Sequence, residues 1–387
     1  MSELSYLEKL LDGVEVKWLP LGHIAAIKTG QSVNKNMISK NPGVYPVINS
    51  GREPLGFINT WNTDNDPIGI TTRGAGVGSV IWQEGKYFRG NLNYSITIDK
   101  KVTINIRYMY HALLHMKNDI HELCTFDGIP ALNAGSLKKL LIPIPCPNIP
   151  EKSLAIQSEI VRILDKFTAL TAELTAELTA ELNMRKKQYN YYRDQLLSFK
   201  EGEVEWKTLG EITEINTGQK PSEILDKAAT FDYINAGTSR SGYTTMSNCD
   251  GDTVTTPSRG QGGIGFVGYQ KTPFWLGPLC YKIKSLNNEI LINKFLFYTL
   301  QSRNRILLSL KKEGGVPAVN KIDLAKLIIP LPSLDEQKRI VSLLDKFDTL
   351  TNSITEGLPR EIELRQKQYE YYRDLLFSFP KPETVSN

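Results

Sequence analysis

Residues 171–182 read TAELTAELTAEL, so one four-residue word occurs three times in succession. Ala, Glu and Leu are strong helix formers, and Thr is tolerated. Four residues advance about 400° around a helix, so a leucine at every fourth position drifts by about 40° per step. The preceding Leu164, Phe167 and Leu170 step by three and rotate the apolar stripe back. We therefore expect one long helix over residues 152–199, rather than a solvated low-complexity spacer.

The apolar face of this helix has a copy later in the chain. It falls within an arc of about 120° and consists of Leu164, Phe167, Leu170, Leu174, Leu178, Leu182, Tyr189, Tyr192, Leu196 and Phe199. At an offset of 180 residues, the matching positions are Leu344, Phe347, Leu350, Ile354, Leu358, Ile362, Tyr369, Tyr372, Leu376 and Phe379. Matching faces are best buried against each other, which predicts an antiparallel helix pair with coiled-coil packing. Pro359 should kink or interrupt the second helix near Gly357.

The globular parts of the chain are repeated as well. GVEVKWLPLGHI at 13–24 is echoed by GEVEWKTLGEI at 202–212. Shorter echoes pair 45–51 with 231–237, 71–76 with 257–262 and 128–133 with 315–320. The chain is therefore a tandem duplication of α+β class with pseudo-two-fold symmetry and neighbouring termini. The predicted segments are globular at 1–149, helical at 150–199, globular at 200–335, and helix plus tail at 336–387.

Composition sets broad limits on function. The 387 residues carry a formal net charge of +4, which permits a nucleic-acid partner without requiring one. The four cysteines form no CxxC pair, so we expect reduced thiols in a cytoplasmic protein and no zinc site. Because no apolar run approaches the roughly 18 residues of a membrane span, we expect no membrane association.

Two arginines are the leading candidates for ligand contact. Arg73 and Arg259 each lie in a glycine-rich turn after a β-like run, where a guanidinium can bind guanine or phosphate. The alternative is an exposed arginine in an ordinary hairpin turn. The other candidates for DNA contact are Asn49, Ser50, Arg52, Thr72 and Arg89 in the first half, and Asn235, Arg240, Ser258 and Gln261 in the second.

Catalytic and cofactor motifs are missing from the sequence. GQGGIG at 260–265 matches the GxGxxG pattern of dinucleotide-binding sites, but the residues after it resemble a strand rather than the required helix. There is no phosphate-binding P-loop and no defensible nuclease or amino-methyltransferase motif. His111 and His115 are expected on an ordinary helix surface rather than at a metal. We therefore predict neither catalytic residues nor metal ligands.

The ends of the long helices are basic and aromatic. RKKQYNYYR at 185–193 is matched by RQKQYEYYR at 365–373. These ends could contact DNA phosphates or a protein partner, whereas tyrosines within the apolar arc are more simply core. Because the sequence occurs twice, it resembles one docking surface used twice.

Taken together, these features resemble the specificity subunit of type I restriction–modification enzymes, over essentially the whole chain. Two diverged globular halves, two near-identical helices and TAEL repeats are specifically similar to the IC group, in which TAEL copy number varies. The resemblance implies two target recognition domains, 1–149 and 200–335, each binding half of a split, asymmetric DNA sequence. The paired helices would set the gap between the half-sites.

The resemblance also implies partners and cofactors. The helices would bind two methyltransferase subunits, and restriction (translocase) subunits would join that core. S-adenosylmethionine, Mg²⁺ and ATP would be used by those partners, with no cofactor in this chain. Two other classes remain as alternatives: an autonomous nuclease or methyltransferase, and a coiled-coil adaptor that does not contact DNA.

Overall fold

Long helices and short mixed sheets make up the fold. The computed structural model describes residues 6–51, 53–228, 230–260, 262–312, 316–353 and 356–380. In chain order the helices are α1 Tyr6–Leu11, α2 Leu21–Ile24, α3 Lys35–Lys40, α4 Ile106–His115, α5 Lys117–Glu122, α6 Ala134–Leu137, α7 Pro150–Leu196, α8 Leu209–Ile212, α9 Asn293–Ser302, α10 Asn304–Ser309, α11 Lys321–Ala325, α12 Leu334–Asn352 and α13 Leu358–Leu376.

The strands are short and concentrated in the two globular regions. They are β1 Val16–Pro20, β2 Ala25–Thr29, β3 Pro42–Ile48, β4 Phe57–Ile58, β5 Thr63–Asp64, β6 Ile68–Thr71, β7 Val80–Trp82, β8 Lys86–Arg89, β9 Asn93–Ile98, β10 Cys124–Thr125, β11 Ala131–Leu132, β12 Leu141–Pro145, β13 Glu205–Thr208, β14 Thr213–Thr217, β15 Phe231–Ile234, β16 Gly242–Thr244, β17 Thr253–Pro257, β18 Gly268–Gln270, β19 Trp275–Leu276, β20 Cys280–Ser285 and β21 Ile328–Leu331.

The chain divides into two compact units. Unit one contains the described residues up to Ala176 together with those from Glu363 onward, and unit two contains Glu177–Ile362. The first boundary falls inside the TAEL run of α7. Each unit therefore combines a globular region with parts of both predicted long helices.

Strand order is duplicated between the units. Unit one has an antiparallel sheet ordered β2-β9-β6-β7, and unit two has β14-β20-β17-β18. A second sheet contains the parallel pair β3 and β8 in unit one, and β15 and β19 in unit two. The antiparallel pairs β1–β12 and β13–β21 lead into α7 and α12. The tandem duplication predicted from sequence is thus present in the fold.

The α7 helix runs without interruption for 47 residues, from Pro150 to Leu196, so the helix predicted over 152–199 is confirmed within three residues at each end. Proline suits the start of a helix because the first turn needs no N–H donor. The second long helix is interrupted, with α12 ending at Asn352 and α13 beginning at Leu358. Gly357 adopts φ +80°, and a Cβ there would come within 2.6 Å of the Thr349 carbonyl oxygen. The predicted break near Pro359 is therefore confirmed.

The two long helical segments pack on each other in the same way within each unit. In unit one, the Phe167 ring stacks on Tyr372 with a centroid distance of 4.7 Å. In unit two, the equivalent Phe347 ring stacks on Tyr192 at 5.7 Å. The start of α7 thus meets the end of α13, and the end of α7 meets α12, which confirms antiparallel pairing.

The predicted apolar face is largely covered. Leu164 and Leu344 are buried, and Phe167, Leu174, Leu178, Leu182, Phe347 and Leu350 are half-buried. The prediction that Leu170 is packed against the other helix is wrong, because its side chain is 51% exposed. It lies at one edge of the arc, where three-residue steps have carried the stripe furthest from its centre. Ile354 lies outside the described residues.

A buried glutamine joins each globular region to its helix. Gln157 Oε1 accepts a hydrogen bond from Asn105 N at 2.8 Å, just before α4. Gln337 Oε1 accepts one from Ile292 N at 2.9 Å, just before α9. Each amide also donates to a backbone carbonyl of the same loop. Because both glutamines are fully buried, these bonds fix where the globular region meets the helix.

An aspartate about two turns further along each helix makes a second link. In unit one, Asp165 Oδ1 lies 2.8 Å from His111 Nε2 and 2.9 Å from Arg107 Nε. In unit two, Tyr298 OH donates to Asp345 Oδ1 at 2.5 Å. The expected surface position of His111 is wrong, because its side chain is fully buried. Burial lowers the pKa of His111, and the hydrogen bond with Asp165 only partly opposes that effect.

Candidate nucleic-acid interface

In unit one, Arg73 projects from a turn whose backbone is held on both sides. Thr72 N donates to Leu92 O at 2.9 Å, and Leu132 N donates to Thr72 O at 2.8 Å. Gly74 adopts φ +91°, and its N–H donates to Pro130 O at 2.9 Å. The turn is therefore anchored to β11 and to the residue just before β9, while the Arg73 side chain is exposed.

Unit two builds the same turn around Arg259. Ser258 N donates to Leu279 O at 2.9 Å, and Val319 N donates to Ser258 O at 2.9 Å. Gly260 has φ +123°, and its N–H donates to Pro317 O at 3.1 Å. Arg259 is exposed, like Arg73. The two arginines that the sequence predicts as ligand contacts thus occupy equivalent backbone positions, one in each unit.

An asparagine supports the neighbouring strand end in both units. Asn49 Oδ1 accepts from Leu92 N at 2.9 Å, and Asn235 Oδ1 accepts from Leu279 N at 2.9 Å. Leu92 and Leu279 are also the residues whose carbonyls hold the arginine turns. The predicted residues Asn49, Thr72 and Arg73 are therefore brought together, as are Asn235, Ser258 and Arg259. In both sets the asparagine side chain supports the backbone from inside the fold.

The prediction that Arg89 contacts DNA is wrong. Its side chain is 3% exposed, and its guanidinium donates to Asn93 Oδ1 at 2.6 Å and to Asp66 O at 2.7 Å. It also bonds to the hydroxyl of Tyr87. Burial lowers the pKa of Arg89, opposed by Tyr87 and Asp66. This arginine is a buried structural group and is not available to DNA.

The remaining predicted residues have different surroundings. Arg240 lies 3.4 Å from Asp232 and over the Tyr243 ring at 4.7 Å, at the wall of a depression of about 370 Å³. Ser50 is half-buried beside the Arg73 turn, where a Cβ on Gly76 would approach its carbonyl oxygen within 3.1 Å. Arg52 and Gln261 lie outside the described residues.

Comparison with known proteins identifies the family. The model of the type I restriction modification DNA specificity domain matches twice, at residues 13–184 and 201–364. The chain belongs to this specificity family. The first match covers one globular region with most of α7, and the second covers the other globular region with α12 and the beginning of α13, which agrees with the duplicated fold.

Relatives extend the match over the full chain. The specificity subunit of the type I restriction enzyme EcoR124I/EcoR124II from Escherichia coli is 44% identical over 421 aligned positions, covering 100% of both chains. The EcoprrI specificity subunit from Escherichia coli is 38% identical, covering 92% of this chain and 93% of the relative. Both relatives therefore support membership of the family over nearly the whole chain.

Solved structures share the fold. A chain from a structure on complex assembly and conformational transition of a type I R-M system aligns with TM-score 0.60 and 16% identity, covering 94% of this chain and 97% of that one. The S subunit from M. genitalium aligns with TM-score 0.53 and 22% identity, covering 96% and 98%. At such low identity these likenesses establish the architecture alone.

Sequence reasoning missed the polar links between globular region and helix in this specificity-family chain. Gln157 and Gln337 are separated by the same 180 residues as the helix repeats, and so are Asp165 and Asp345. A polar residue that recurs at one position in both helices is the signal that could have revealed them.

Two other kinds of site are absent from the residues that the structure describes. No group of three or more His, Cys, Asp or Glu side chains there is arranged to hold a metal ion. Within the same residues, no helix combines the length and apolarity that a membrane crossing needs.

Proposed function

We propose that this chain is the DNA-specificity subunit of a type I restriction–modification complex and that each unit recognises one half of a bipartite, asymmetric sequence. The observation that carries the proposal is the anchored arginine turn, which occurs once in each unit within otherwise diverged surroundings. One protein surface repeated on two units suits a DNA sequence divided into two parts. Arg52, Arg240 and Gln261 remain proposed DNA contacts, and Asn49 and Asn235 become proposed supports.

The α7 helix is the proposed spacer between the half-sites. It runs uninterrupted through the boundary of the two units, which falls in the TAEL run. An uninterrupted helix changes length by about 1.5 Å per residue, so repeat number would change the gap in fixed steps. We propose the segments 1–149 and 200–335 as recognition domains, with 150–199 and 336–387 as the spacer and docking helices.

Exposed apolar side chains on the long helices support docking of two methyltransferase subunits. Met184 and Tyr191 lie seven residues apart on α7, which places them on one face, and Tyr191 is 61% exposed. Leu364 and Tyr371 occupy the matching positions of α13, and Tyr371 is 63% exposed. Two copies of one apolar surface fit two copies of one partner. Restriction subunits would bind this core, and the complex would act on cytoplasmic DNA.

The chemistry is proposed to belong to the partners. S-adenosylmethionine would serve the methyltransferase subunits, and ATP and Mg²⁺ would serve the restriction subunits. Methyl transfer by the purified chain alone would instead favour the autonomous-enzyme alternative. Salt-insensitive, sequence-independent behaviour of the complex towards DNA would favour the adaptor alternative, because DNA binding through phosphates depends steeply on salt.

Selection from a randomised DNA pool tests the function. The full chain, bound to its methyltransferase subunits, should retain duplexes with two fixed half-sites separated by a constant gap. Scrambling either half-site alone should reduce affinity, because the unit that recognises that half-site then loses its base contacts. Retention of a single contiguous site would contradict the proposal.

Substitution of an exposed tyrosine by a charged residue tests the docking surface. Tyr191→Asp or Tyr371→Asp should each leave one of two methyltransferase subunits bound, measured by native mass spectrometry. Loss of a central aromatic at an interface costs about 2 kcal/mol or more, or about thirtyfold in affinity. Tyr191→Phe and Tyr371→Phe are the matched controls and should retain both subunits. Full occupancy in both aspartate variants would exclude this face.

A further inference from the structure

We propose that Arg73 and Arg259 bind phosphates of the DNA backbone rather than base edges, one arginine for each half-site. This inference rests on the proposed function. It assigns the two equivalent turns a shared, sequence-independent role, and it leaves base recognition to the diverged surfaces around them.

Both arginines lie in turns whose backbone is held in place. Each arginine is preceded by a buried residue whose N–H and C=O are both bonded, Thr72 in unit one and Ser258 in unit two. Each is followed by a glycine in the left-handed region whose N–H is bonded to a proline carbonyl. Both arginines also form an isolated antiparallel bridge, Arg73 with Ala131 and Arg259 with Ala318. A backbone held so closely fixes the point from which each side chain leaves the turn, so binding orders the arginine side chain but does not have to order the loop.

The positive charge of both arginines is available to a ligand. Within the described part of the chain, neither guanidinium is engaged in an ion pair or side-chain hydrogen bond. Other arginines are engaged: Arg89 is buried in a hydrogen-bond network, Arg107 pairs with Asp165, and Arg240 pairs with Asp232. The two turns therefore offer exposed positive charge without an internal competitor, as an external anion requires.

The arginine turns are the same in both units, whereas their surroundings differ. Residues next to the turns differ between units: Ser50 corresponds to Ala236, and Ala75 corresponds to Gln261. Base edges differ between two unlike half-sites, so residues that recognise them should differ too. Phosphates recur unchanged along every duplex and fix the register of the protein. A feature kept identical in two divergent units matches the constant component of the ligand.

Counterion release sets the expected size of the effect. Each phosphate contact to duplex DNA contributes a slope of about 0.9 to the dependence of log affinity on log salt. Removing one contact should therefore lower affinity about eightfold at about 0.1 M salt. Removing both should lower it about sixtyfold, because the two sites lie in separate units and share no partner.

Binding titrations on the intact complex test the proposal. The full chain with its methyltransferase subunits is titrated with a duplex carrying the selected site, and with a scrambled duplex, between about 0.05 and 0.2 M salt. Arg73→Gln and Arg259→Gln should each lower the salt slope by about 0.9 and weaken both duplexes by the same factor. The selected half-site bases should remain unchanged. Arg73→Lys and Arg259→Lys should recover most of the slope, because the charge remains.

A matched control comes from the other end of the same sheet. Lys100 is exposed and lies two residues after the C-terminal end of β9. Asn93, at the other end of β9, pairs with Thr71, two residues before Arg73. Lys100→Gln removes the same unit of charge and should leave the slope unchanged. If Lys100→Gln and Arg73→Gln have equal effects, the contribution is only net charge and the proposal is overturned.

Two further outcomes separate the possible failures. Relaxed selectivity at one base position in Arg73→Gln or Arg259→Gln would assign base recognition to that arginine and overturn phosphate binding. An unchanged slope in both variants would show that the turns do not contact DNA. Failure of the wild-type complex to select two half-sites would instead contradict the proposed function itself, independently of either arginine.

Discussion

Deleting residues Thr175–Leu178 removes one TAEL word from α7 and tests the spacer directly. The deletion shortens the helix by about 6 Å and rotates its C-terminal part by about 40° relative to its start. One DNA base pair adds about 3.4 Å of rise and about a tenth of a turn. The length change therefore corresponds to just under two base pairs and the rotation to about one. We expect the gap between half-sites to shrink by one or two base pairs.

The helix should tolerate this deletion. The remaining Leu174 and Leu182 would become neighbours in the four-residue repeat, and the apolar face would shift only by the same angle of about 40°. The leucines of the TAEL repeats are only half-buried, namely Leu174, Leu178 and Leu182. Removing one of them therefore loses less packing than removing a core residue such as Leu164.

The assay is modification mapping of randomised DNA with the deletion variant in complex with its methyltransferase partner. Both half-site sequences should be unchanged, because the deletion alters neither proposed recognition domain. Insertion of a fourth TAEL word should lengthen the gap by the same step, and Thr175→Ala should leave it unchanged because the helix keeps its length. Altered half-site bases with an unchanged gap would refute the spacer mechanism.

Two further predictions concern the links between globular region and helix. Gln157→Ala removes three hydrogen bonds from a fully buried side chain and should lower the free energy of unfolding by about 2–4 kcal/mol in urea titrations. The control is Gln195→Ala at an exposed position of the same helix, which should change the free energy of unfolding by less than about 0.5 kcal/mol. Burial depresses the pKa of His111, so the wild type should lose stability as pH falls below about 6.5, where the unfolded chain binds the extra proton. His111→Tyr, which copies unit two, should weaken this dependence in melting experiments, whereas exposed His23→Gln should retain it.

The helical framework followed from local pattern. Apolar spacing predicted α7, because a three- and four-residue rhythm over many turns has few alternatives to a helix. The break before α13 followed from the geometry of Pro359 and Gly357, which act within one turn. The repeated sequences also revealed the duplication and predicted that the two helical faces pack on each other, because matching apolar faces are best buried together.

Side-chain roles within the globular regions depended on distant partners. The sequence predicts Arg89 as a DNA contact, but groups on Asp66, Asn93 and Tyr87 converge on its guanidinium only when β8, β9 and the loop between β5 and β6 are in place. The sequence predicts a surface position for His111, yet this face of α4 lies against Asp165 of α7. Neither outcome can be obtained from neighbouring residues, because each depends on a contact between segments far apart in the chain.

The most direct test of the central claim is a map of methylated adenines on DNA with a fully randomised site, made with this chain and its methyltransferase partner. We expect methylation within two fixed half-sites at a constant separation, one for each unit. Methylation within one contiguous sequence would contradict the account, since only one unit would then recognise DNA.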